Sequence, residues 1–365
     1  MKRQLLKITP MSELFFRDGT TMEKGESNWT VSKEIPNLSV FYGALTSLQL
    51  RSGKFDNILE LIKEISNTEK QEERIKIQNK IDIKLREKIK IYGVYLTSGK
   101  DLYMSAPLDL FYNEKDEIKK GDYKNGLIYP PEIEKNDEVW ERADDKFIKV
   151  SHYKEKYIKN DLKHIEVYDS SMFFSYYHKV GLAIGDNRVN EEGSLYFADM
   201  VTFTKKDMGY VLDVEWQDEG PNFTKEKMIL LGGEKKTALI EELSEDNEEY
   251  RQWRAFKRQV AKSQINEFVK IVFTAPFLLP EGSNDIIDDD AIEVIVASMK
   301  KIEYIGSYNM AVEKQRKMRI TIPAGSVFLL KIKKKEQIQG AIQDYIKRKL
   351  NQKETDKEFV SFLVI

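Results

Sequence analysis

The stretch FVKIVFTAPFLLPEG, residues 268–282, decides how the C-terminal part of this 365-residue chain folds. Its first half is rich in β-branched and aromatic residues, which is typical of a buried strand, and Pro276 ends that strand. Similar compositions predict three further strands, in IEYIGSY (302–308), GSVFLLKIK (325–333) and EFVSFLVI (358–365).

Two helices are predicted between these strands. AIEVIVASMKKI (291–302) has apolar residues at helical spacing, and a helix N-terminus would favour the acidic residues that precede it, Asp288, Asp289 and Asp290. A metal site is the alternative interpretation of those three carboxylates. The second helix, EQIQGAIQDYIKRKL (336–350), has one apolar face, formed by Ile338, Ile342, Tyr345 and Ile346. The resulting order β-α-β-β-α-β is the ferredoxin-like pattern.

A looser copy of this pattern is predicted in the first 242 residues. An opening strand and a helix are followed by a hairpin with a lysine-bearing turn and by a further strand; the segments are RQLLKIT (3–9), LSVFYGALTSLQLR (38–51), SLYFADMVTF (194–203) with GYVLDVEW (209–216), and MILLGG (228–233). We therefore expect an α+β protein with two ferredoxin-like (RRM-like) domains.

The predicted domains are residues 1–242 and 263–365, joined by a linking helix at 243–262 that is acidic first and basic last. The first domain carries insertions near 53–90 and 108–165. The first insertion is charged and helical in pattern. The second is rich in Lys, Asp, Glu and Tyr, and charge runs of this kind predict a solvated face.

Composition excludes several classes of function. The chain has 59 Lys+Arg against 61 Asp+Glu, so it lacks the basic excess of a free-standing nucleic-acid-binding protein. It has no cysteine, and its histidines, His152, His164 and His178, do not have the spacing of a helical metal pair. We therefore expect no metal and no cofactor. No window approaches the about 20 apolar residues of a membrane span, and the N-terminus lacks a signal-peptide pattern, so a cytoplasmic location is expected.

Several motifs occur in a defined order along the chain. They are LFFRDG (14–19), FYGALTSLQLR (41–51), HKVGLAIGDNRVNEEGSLYF (178–197), LLGGEKK (230–236), FTAPFLLPEG (273–282) and PAGSVFLL (323–330). In this order and spacing the chain resembles the RAMP-superfamily subunit that binds the crRNA 5′ handle in type III-B CRISPR (Cmr) complexes, the third and Cas5-like subunit. Two departures are Thr46, where the family usually has arginine, and the absence of glycine from residues 351–365.

The resemblance implies a non-catalytic RNA-binding subunit of an antiviral ribonucleoprotein. Its partners would be the crRNA 5′ handle, the large polymerase-like subunit and the first RAMP backbone subunit. Handle recognition would rest on splayed bases and on phosphate contacts rather than on duplex reading.

Two glycine-containing motifs are candidate phosphate contacts. In LFFRDG, Arg17 beside Gly19 has a guanidinium that can fork onto a phosphate, although an Arg17–Asp18 ion pair bracing the loop is equally compatible. The segment with Gly232, Gly233, Lys235 and Lys236 presents unobstructed backbone N–H groups beside two cations, which favours an anion; a plain turn is the alternative.

Three further groups are candidate RNA contacts. A basic segment follows an aromatic residue in the second domain and comprises Tyr308, Lys314, Arg316, Lys317 and Arg319; a solvated loop is the alternative. His178, Lys179 and Arg188 flank a predicted strand and turn, where they line a groove or cap a sheet edge. Tyr42, near the start of the first helix, stacks on a base or belongs to the core, and the core interpretation is favoured.

Two other functions remain open at this point. A metal-independent crRNA-processing endoribonuclease of the RAMP superfamily would need a general acid or base, for which His178 is the candidate. A protein-binding scaffold without RNA contact is the third possibility.

Overall fold

The computed structural model describes residues 2–16, 28–53, 55–124, 126–131, 138–184, 190–217, 221, 223, 227–232, 236–244, 246–260, 266–279, 287, 289–305, 308–309, 314–315, 318–338, 342–350 and 362–364. It confirms a mixed α+β protein with antiparallel sheets. Among these residues, no helix combines the length and the apolar character needed to cross a bilayer.

The N-terminal two-thirds of the chain alternates strands with a few helices. The strands are β1 (Lys2–Pro10), β2 (Asn28–Val31), β3 (Ile89–Ser98), β4 (Asp101–Ser105), β5 (Leu110–Asn113), β6 (Ile118–Lys120), β7 (Asp122–Lys124), β8 (Leu127–Tyr129), β9 (Trp140–Arg142), β10 (Lys146–Lys149), β11 (Val167–Asp169), β12 (Phe174–Ile184), β13 (Asn190–Phe203), β14 (Gly209–Trp216), β15 (Lys227–Leu230) and β16 (Thr237–Glu242). The helices are α1 (Leu38–Arg51), α2 (Asp56–Ser66), α3 (Gln71–Lys88), the short α4 (Val150–His152), which continues as a π-helical turn (Tyr153–Tyr157), and α5 (Glu248–Val260). A 3-10 turn covers Ser170–Met172.

The C-terminal part is mostly strand. It contains β17 (Phe268–Phe273), β18 (Phe277–Leu278), β19 (Ile292–Ser298), β20 (Glu303–Ile305), β21 (Tyr308–Asn309), β22 (Lys314–Gln315), β23 (Arg319–Ile322), β24 (Val327–Ile332), a 3-10 turn (Lys335–Gln337), the helix α6 (Ile342–Leu350) and β25 (Phe362–Val364).

Two antiparallel sheets organise the molecule. The larger has the order β11-β10-β4-β3-β14-β1-β16-β15, and the C-terminal one has the order β19-β24-β17-β25. Four neighbouring strands of the larger sheet, β3-β14-β1-β16, come second, third, first and fourth along the chain. The C-terminal sheet shows the same order.

Alternation along β1 directs side chains into two separate cores. Leu6 packs on one face of the sheet with Phe41 of α1, whereas Leu5 packs on the other face with Phe256 of α5. The second core also includes Val272 of β17, so the two parts of the chain share buried surface. Burying each such side chain fully stabilises the fold by about 1.5–3 kcal/mol.

The insertion at 108–165 is not only a solvated face. Asp109 is completely buried, and its carboxylate accepts hydrogen bonds from Tyr157 Oη at 2.8 Å and from Tyr123 Oη at 2.7 Å. Lys270 of β17 completes this arrangement with an ion pair at 2.6 Å. The charge of Asp109 is therefore used to attach the insertion to the C-terminal sheet.

Several predicted elements are confirmed. The strands predicted at 3–9, 228–233, 268–274, 325–333 and 358–365 are confirmed over the observed ranges of β1, β15, β17, β24 and β25, which for the last is Phe362–Val364. The helices predicted at 38–51 and 243–262 are confirmed at Leu38–Arg51 (α1) and Glu248–Val260 (α5). In the segment 336–350 the described helix begins at Ile342 and buries Ile342, Tyr345 and Ile346, while the buried Ile338 precedes it.

The helix predicted at 291–302 is wrong, because Ile292–Ser298 form the edge strand β19. A β-bulge lies between Val294 and Val296, where Ile295 is an extra residue without a counterpart on β24. Ile292 and Val296 are both buried, as residues i and i+4 on one face of a strand can be, whereas Val294 between them is 37% exposed. Apolar burial at every fourth residue also fits a helix, so this spacing does not distinguish the two structures.

Two related predictions also need correction: the acidic run as the start of a helix, and the sheet to which the strand at 302–308 belongs. The acidic run does not begin a helix; Asp289 instead accepts hydrogen bonds from the backbone of Ala291 at 2.9 Å and from Tyr345 Oη at 3.1 Å, and it pairs with Lys349. The segment 302–308 contributes β20, which pairs with β23 in a separate small sheet rather than in the four-stranded sheet.

The hairpin predicted from 194–203 and 209–216 is also wrong. Strand β14 pairs with β1 and β3, whereas β13 pairs with β12 and β2 in another sheet. Almost every residue of β14 is buried, which fits a central strand covered on both faces. The short turn at 204–208 therefore connects two sheets instead of closing a hairpin.

Candidate nucleic-acid interface

A three-stranded sheet built on a long hairpin carries the candidate interface. Strand β12 pairs antiparallel with β13, and β13 pairs parallel with β2, so that residues distant in sequence share one face. Gly181 of β12 lets the ring of Tyr196 on β13 pack closely against the backbone, because a Cβ at Gly181 would lie 2.0 Å from that ring. This contact is on the face of the sheet opposite to His178. The register places His178 opposite Asp199, and Asp199 opposite Val31.

One face of this sheet exposes aromatic rings to solvent. Trp29 is 58% exposed, and its indole stacks on Phe197 with ring centroids 5.6 Å apart and planes 14° apart. The imidazole of His178 meets the same indole edge-on at 5.9 Å. We call Trp29, His178, Phe197 and Asp199 the aromatic platform.

Asp199 holds both exposed rings of the platform. Its Oδ2 accepts a hydrogen bond from Trp29 Nε1 at 3.0 Å, and its Oδ1 lies 2.5 Å from His178 Nδ1. Burial alone would raise the pKa of Asp199, but the hydrogen bonds from His178 and Trp29 outweigh burial and lower the pKa below its usual value. The carboxylate is therefore ionised at neutral pH and directs the other imidazole nitrogen, Nε2, away from itself.

The base of the hairpin sheet is attached to the rest of the fold. Tyr176 Oη donates to Glu34 Oε1 at 3.2 Å, and Tyr210 Oη donates to the backbone carbonyl of Glu34 at 2.6 Å. Burial raises the pKa of the Glu34 carboxyl. Lys33, which follows β2, pairs with Glu303 of β20 at 2.5 Å, so this segment also contacts the C-terminal part.

The sequence-predicted residues of the hairpin lie on both of its faces. His178 is exposed on the platform face, whereas Lys179, the next residue of β12, points to the other face. Strand β12 lies at the edge of this sheet, and the lining of an RNA groove by this segment stays a prediction.

The predicted residues near the turn between β15 and β16 are engaged in packing. Gly232 adopts φ +75°, and a Cβ there would lie 2.8 Å from the ring of Phe16. Lys236 Nζ pairs with Glu13 Oε1 at 2.6 Å, and the hydrogen bond from Lys236 lowers the pKa of Glu13. Tyr42 is half-buried and packs against the first core, which agrees with the favoured core interpretation.

In the C-terminal part, the described residues of the basic segment include two short strands that pair antiparallel. Tyr308 pairs with Gln315 and Asn309 with Lys314 in β21 and β22. The guanidinium of Arg319 donates to the carbonyl of Leu279 at 2.7 Å, which attaches β23 to the end of β18. The remaining predicted residues lie outside the described part of the chain: Arg17, Gly19, Arg188, Gly233, Lys235, Arg316 and Lys317.

Sequence reasoning missed most of the platform. Trp29 lies in the short segment NWTV, and Asp199 and Phe197 lie in a strand whose partner was assigned wrongly. The one available signal was a tryptophan in a short β-branched run, which predicts an exposed edge strand. Among the described residues, no cluster of three or more His, Asp or Glu side chains could hold a metal ion.

Comparison with models of protein families shows the family to which the chain belongs. The model of the family described as CRISPR-associated protein (Cas_Cmr3) matches residues 6–356. The chain belongs to the Cas_Cmr3 family. This membership confirms the resemblance to the RAMP subunit of type III-B CRISPR complexes that the motifs had indicated. A search of curated proteins finds no match.

Solved structures of CRISPR complexes contain similar chains. A chain of the type III-B Cmr-β complex bound to cognate target RNA is 17% identical to this Cas_Cmr3 member, with a TM-score of 0.49 and coverage of 96% of this chain and 94% of that one. The same complex with target RNA and AMPPnP gives 17% identity, a TM-score of 0.48 and coverage of 90% and 86%. A chain of the type III-A Csm3–Csm4 subcomplex gives 11% identity, a TM-score of 0.42 and coverage of 89% and 92%.

Proposed function

We propose that this Cas_Cmr3 member binds the repeat-derived 5′ handle of crRNA within a cytoplasmic type III-B complex and holds the handle without cleaving it. The observation that supports this proposal is the aromatic platform. Contiguous apolar surface that is exposed on a soluble protein marks interaction and ligand-binding sites. Exposed rings are surfaces on which unpaired bases stack.

The chemistry of the platform suits a single strand. Trp29 offers a flat π-face already oriented by Phe197 and Asp199, so little side-chain entropy is lost when a base stacks on it. His178 presents its second nitrogen beside that ring, where it can contact a phosphate or a base edge. The formal net charge of −2 favours stacking over a large number of phosphate contacts.

The strand order supports a pair of ferredoxin-like units as the scaffold. Both β3-β14-β1-β16 and β19-β24-β17-β25 have the order that a β-α-β-β-α-β chain produces. Helices α1 to α3 occupy the first crossover of the N-terminal unit, and α6 precedes the last strand of the C-terminal one. The large polymerase-like subunit and the first RAMP backbone subunit are the proposed protein partners.

The test uses the complex assembled with its crRNA. Trp29→Ala should weaken retention of the crRNA 5′ end by about 1–3 kcal/mol, the usual value of one base–aromatic stack. Tyr177→Ala is the matched control, because Tyr177 is about as exposed as Trp29 but lies on the opposite face of the same three-stranded sheet. Ultraviolet crosslinking should join the handle to this chain in the parent and in the control. A handle that crosslinks only to other subunits would contradict the proposal and favour a protein scaffold.

A second candidate function follows from the His178–Asp199 contact. A carboxylate that orients an imidazole is an arrangement also used for general acid–base catalysis, which a metal-independent endoribonuclease needs. Incubating the purified chain with repeat RNA separates the two functions. Site-specific cleavage that disappears in His178→Ala would establish the enzyme, whereas uncut RNA supports the binding subunit.

A further inference from the structure

The outer strand of the larger sheet, β15, exposes large apolar side chains. It pairs with β16, and no other described strand lies beside it. Met228 is 56% and Leu230 43% exposed, whereas Ile229 between them is completely buried in the first core and holds the strand in place. Soluble proteins usually protect an edge strand with outward-pointing charges, with proline or with a covering element, and the side chains of Met228 and Leu230 provide no charge.

The register of β15 and β16 determines where the backbone groups of these two residues point. Leu231 N donates to the carbonyl of Lys236 at 2.8 Å. In an antiparallel pair, residues bonded to the partner strand alternate with residues that are not. Counting back from Leu231, Ile229 is bonded to β16, whereas Met228 and Leu230 direct their N–H and C=O groups away from it. None of these four groups has a hydrogen-bond partner among the described residues.

The exposed apolar surface continues across the neighbouring strand. Leu239 and Thr237 of β16 lie opposite Met228 and Leu230 in the register. On the far side of β16, Met11 donates its N–H to the carbonyl of Thr237 at 3.0 Å, and its side chain is 56% exposed. Adjacent strands are about 4.8 Å apart, so Met11 and Leu230 lie roughly 10 Å from each other. We call Met11, Met228 and Leu230 the apolar corner.

The chemistry of the apolar corner favours a protein over RNA. Its three side chains carry no charge, so a phosphate would find no countercharge in them. The one charged residue of β15, Lys227, alternates to the face of Ile229, where its Nζ lies 5.7 Å from the ring centroid of Phe223. Open backbone donors and acceptors are satisfied by an extended polypeptide, and methionine side chains adapt readily to an apolar partner.

We propose that β15 is an assembly edge, to which a neighbouring protein subunit of the complex adds an extended segment as a further strand. The backbone of that segment bonds to the outward groups of Met228 and Leu230, and apolar residues at alternate positions of the segment cover the apolar corner. The inference rests on the proposed function for the presence of neighbouring subunits, but not for the position of the handle.

The first test measures hydrogen exchange at single-residue resolution in the free chain and in the complex assembled with its crRNA. The amides of Met228 and Leu230 should exchange rapidly in the free chain and become protected in the complex. The amides of Ile229 and Leu231 are internal controls, because both are bonded to β16 and should be protected in both samples. Crosslinking of the handle in the same complex tests the proposed function separately.

Two outcomes of this measurement would overturn the proposal. One is rapid exchange of both amides in the assembled complex. The other is protection in the free chain that disappears on dilution, because it would show that two copies of this chain pair through β15.

Two substitutions at one position then separate the backbone from the side chain. Met228→Pro removes an N–H that β16 does not use, whereas Met228→Ala shortens the side chain and keeps that N–H. Titrating the labelled chain onto the complex assembled without it measures association, and thermal unfolding shows whether each variant is folded. Met228→Pro should bind about two- to tenfold more weakly than Met228→Ala, the usual effect of one hydrogen bond. Equal affinities of the two folded variants would contradict strand addition.

Discussion

Lys270 Nζ lies 2.6 Å from Asp109 Oδ2, and this ion pair joins two segments that are 161 residues apart in the chain. The carboxylate is completely buried, and the lysine side chain is 16% exposed. An ion pair so placed is maintained by its geometry, because either partner alone would be a poorly solvated charge.

Lys270→Met should therefore destabilise the protein strongly. The substitution keeps the length of the side chain but leaves Asp109 without its ammonium partner, for which about 3–5 kcal/mol of unfolding free energy is expected to be lost. Urea denaturation measures the effect. The control is Lys331→Met, which removes an exposed pair with Glu267 at 3.8 Å and should cost at most about 1 kcal/mol. Equal losses in the two variants would show that the buried pair is not important for stability.

Glu249 should make the stability of the protein depend on pH. Burial raises the pKa of this carboxyl, which is hydrogen bonded to Thr97, to about 7 in the folded state. In the unfolded chain the pKa of a glutamate is near 4.3. Between this pKa and that of the folded state, the folded protein binds more protons than the unfolded one. The free energy of unfolding therefore falls as pH rises from about 4.5 to 7. Each unit of difference between the folded and unfolded pKa corresponds to about 1.4 kcal/mol in the free energy of unfolding.

Glu249→Gln removes that titration while preserving the shape of the side chain. The variant should be more stable than the parent at pH 8 and should lose most of the pH dependence between 4.5 and 7, as measured by thermal unfolding across this range. Glu248→Gln changes the neighbouring exposed carboxylate, which pairs with Arg251, and should keep the parental pH profile. A parental profile in Glu249→Gln would contradict the assignment.

Gly232→Ala should destabilise the fold although it adds a single methyl group. The residue has φ +75°, a conformation that costs an L-residue about 1–2 kcal/mol, and the new Cβ would lie 2.8 Å from the ring of Phe16. Gly43→Ala in α1 is the control, because a Cβ there meets nothing within 4 Å and alanine favours the helix by up to about 1 kcal/mol. Opposite shifts in melting temperature are expected. A shift of the same sign in both variants would contradict the packing of Gly232.

Local chemistry determined the elements that the sequence predicted correctly. The helix at 38–51 has its apolar residues at helical spacing, and the strand at 268–274 is β-branched and aromatic, so both could be identified without knowledge of their neighbours. The family was also accessible from the sequence, because short motifs keep their order even where each motif alone is unspecific.

Tertiary structure alone decided the elements that were predicted wrongly and the site that was missed. The apolar spacing of 291–302 fits a helix as well as a bulged strand, and only pairing with β24 selects the strand. Trp29 and Asp199 are 170 residues apart, yet the parallel pairing of β2 with β13 brings them into hydrogen-bond contact. Periodicity reports how one segment distributes its apolar side chains, whereas strand pairing depends on the backbone groups of another segment, about which the local sequence carries no information.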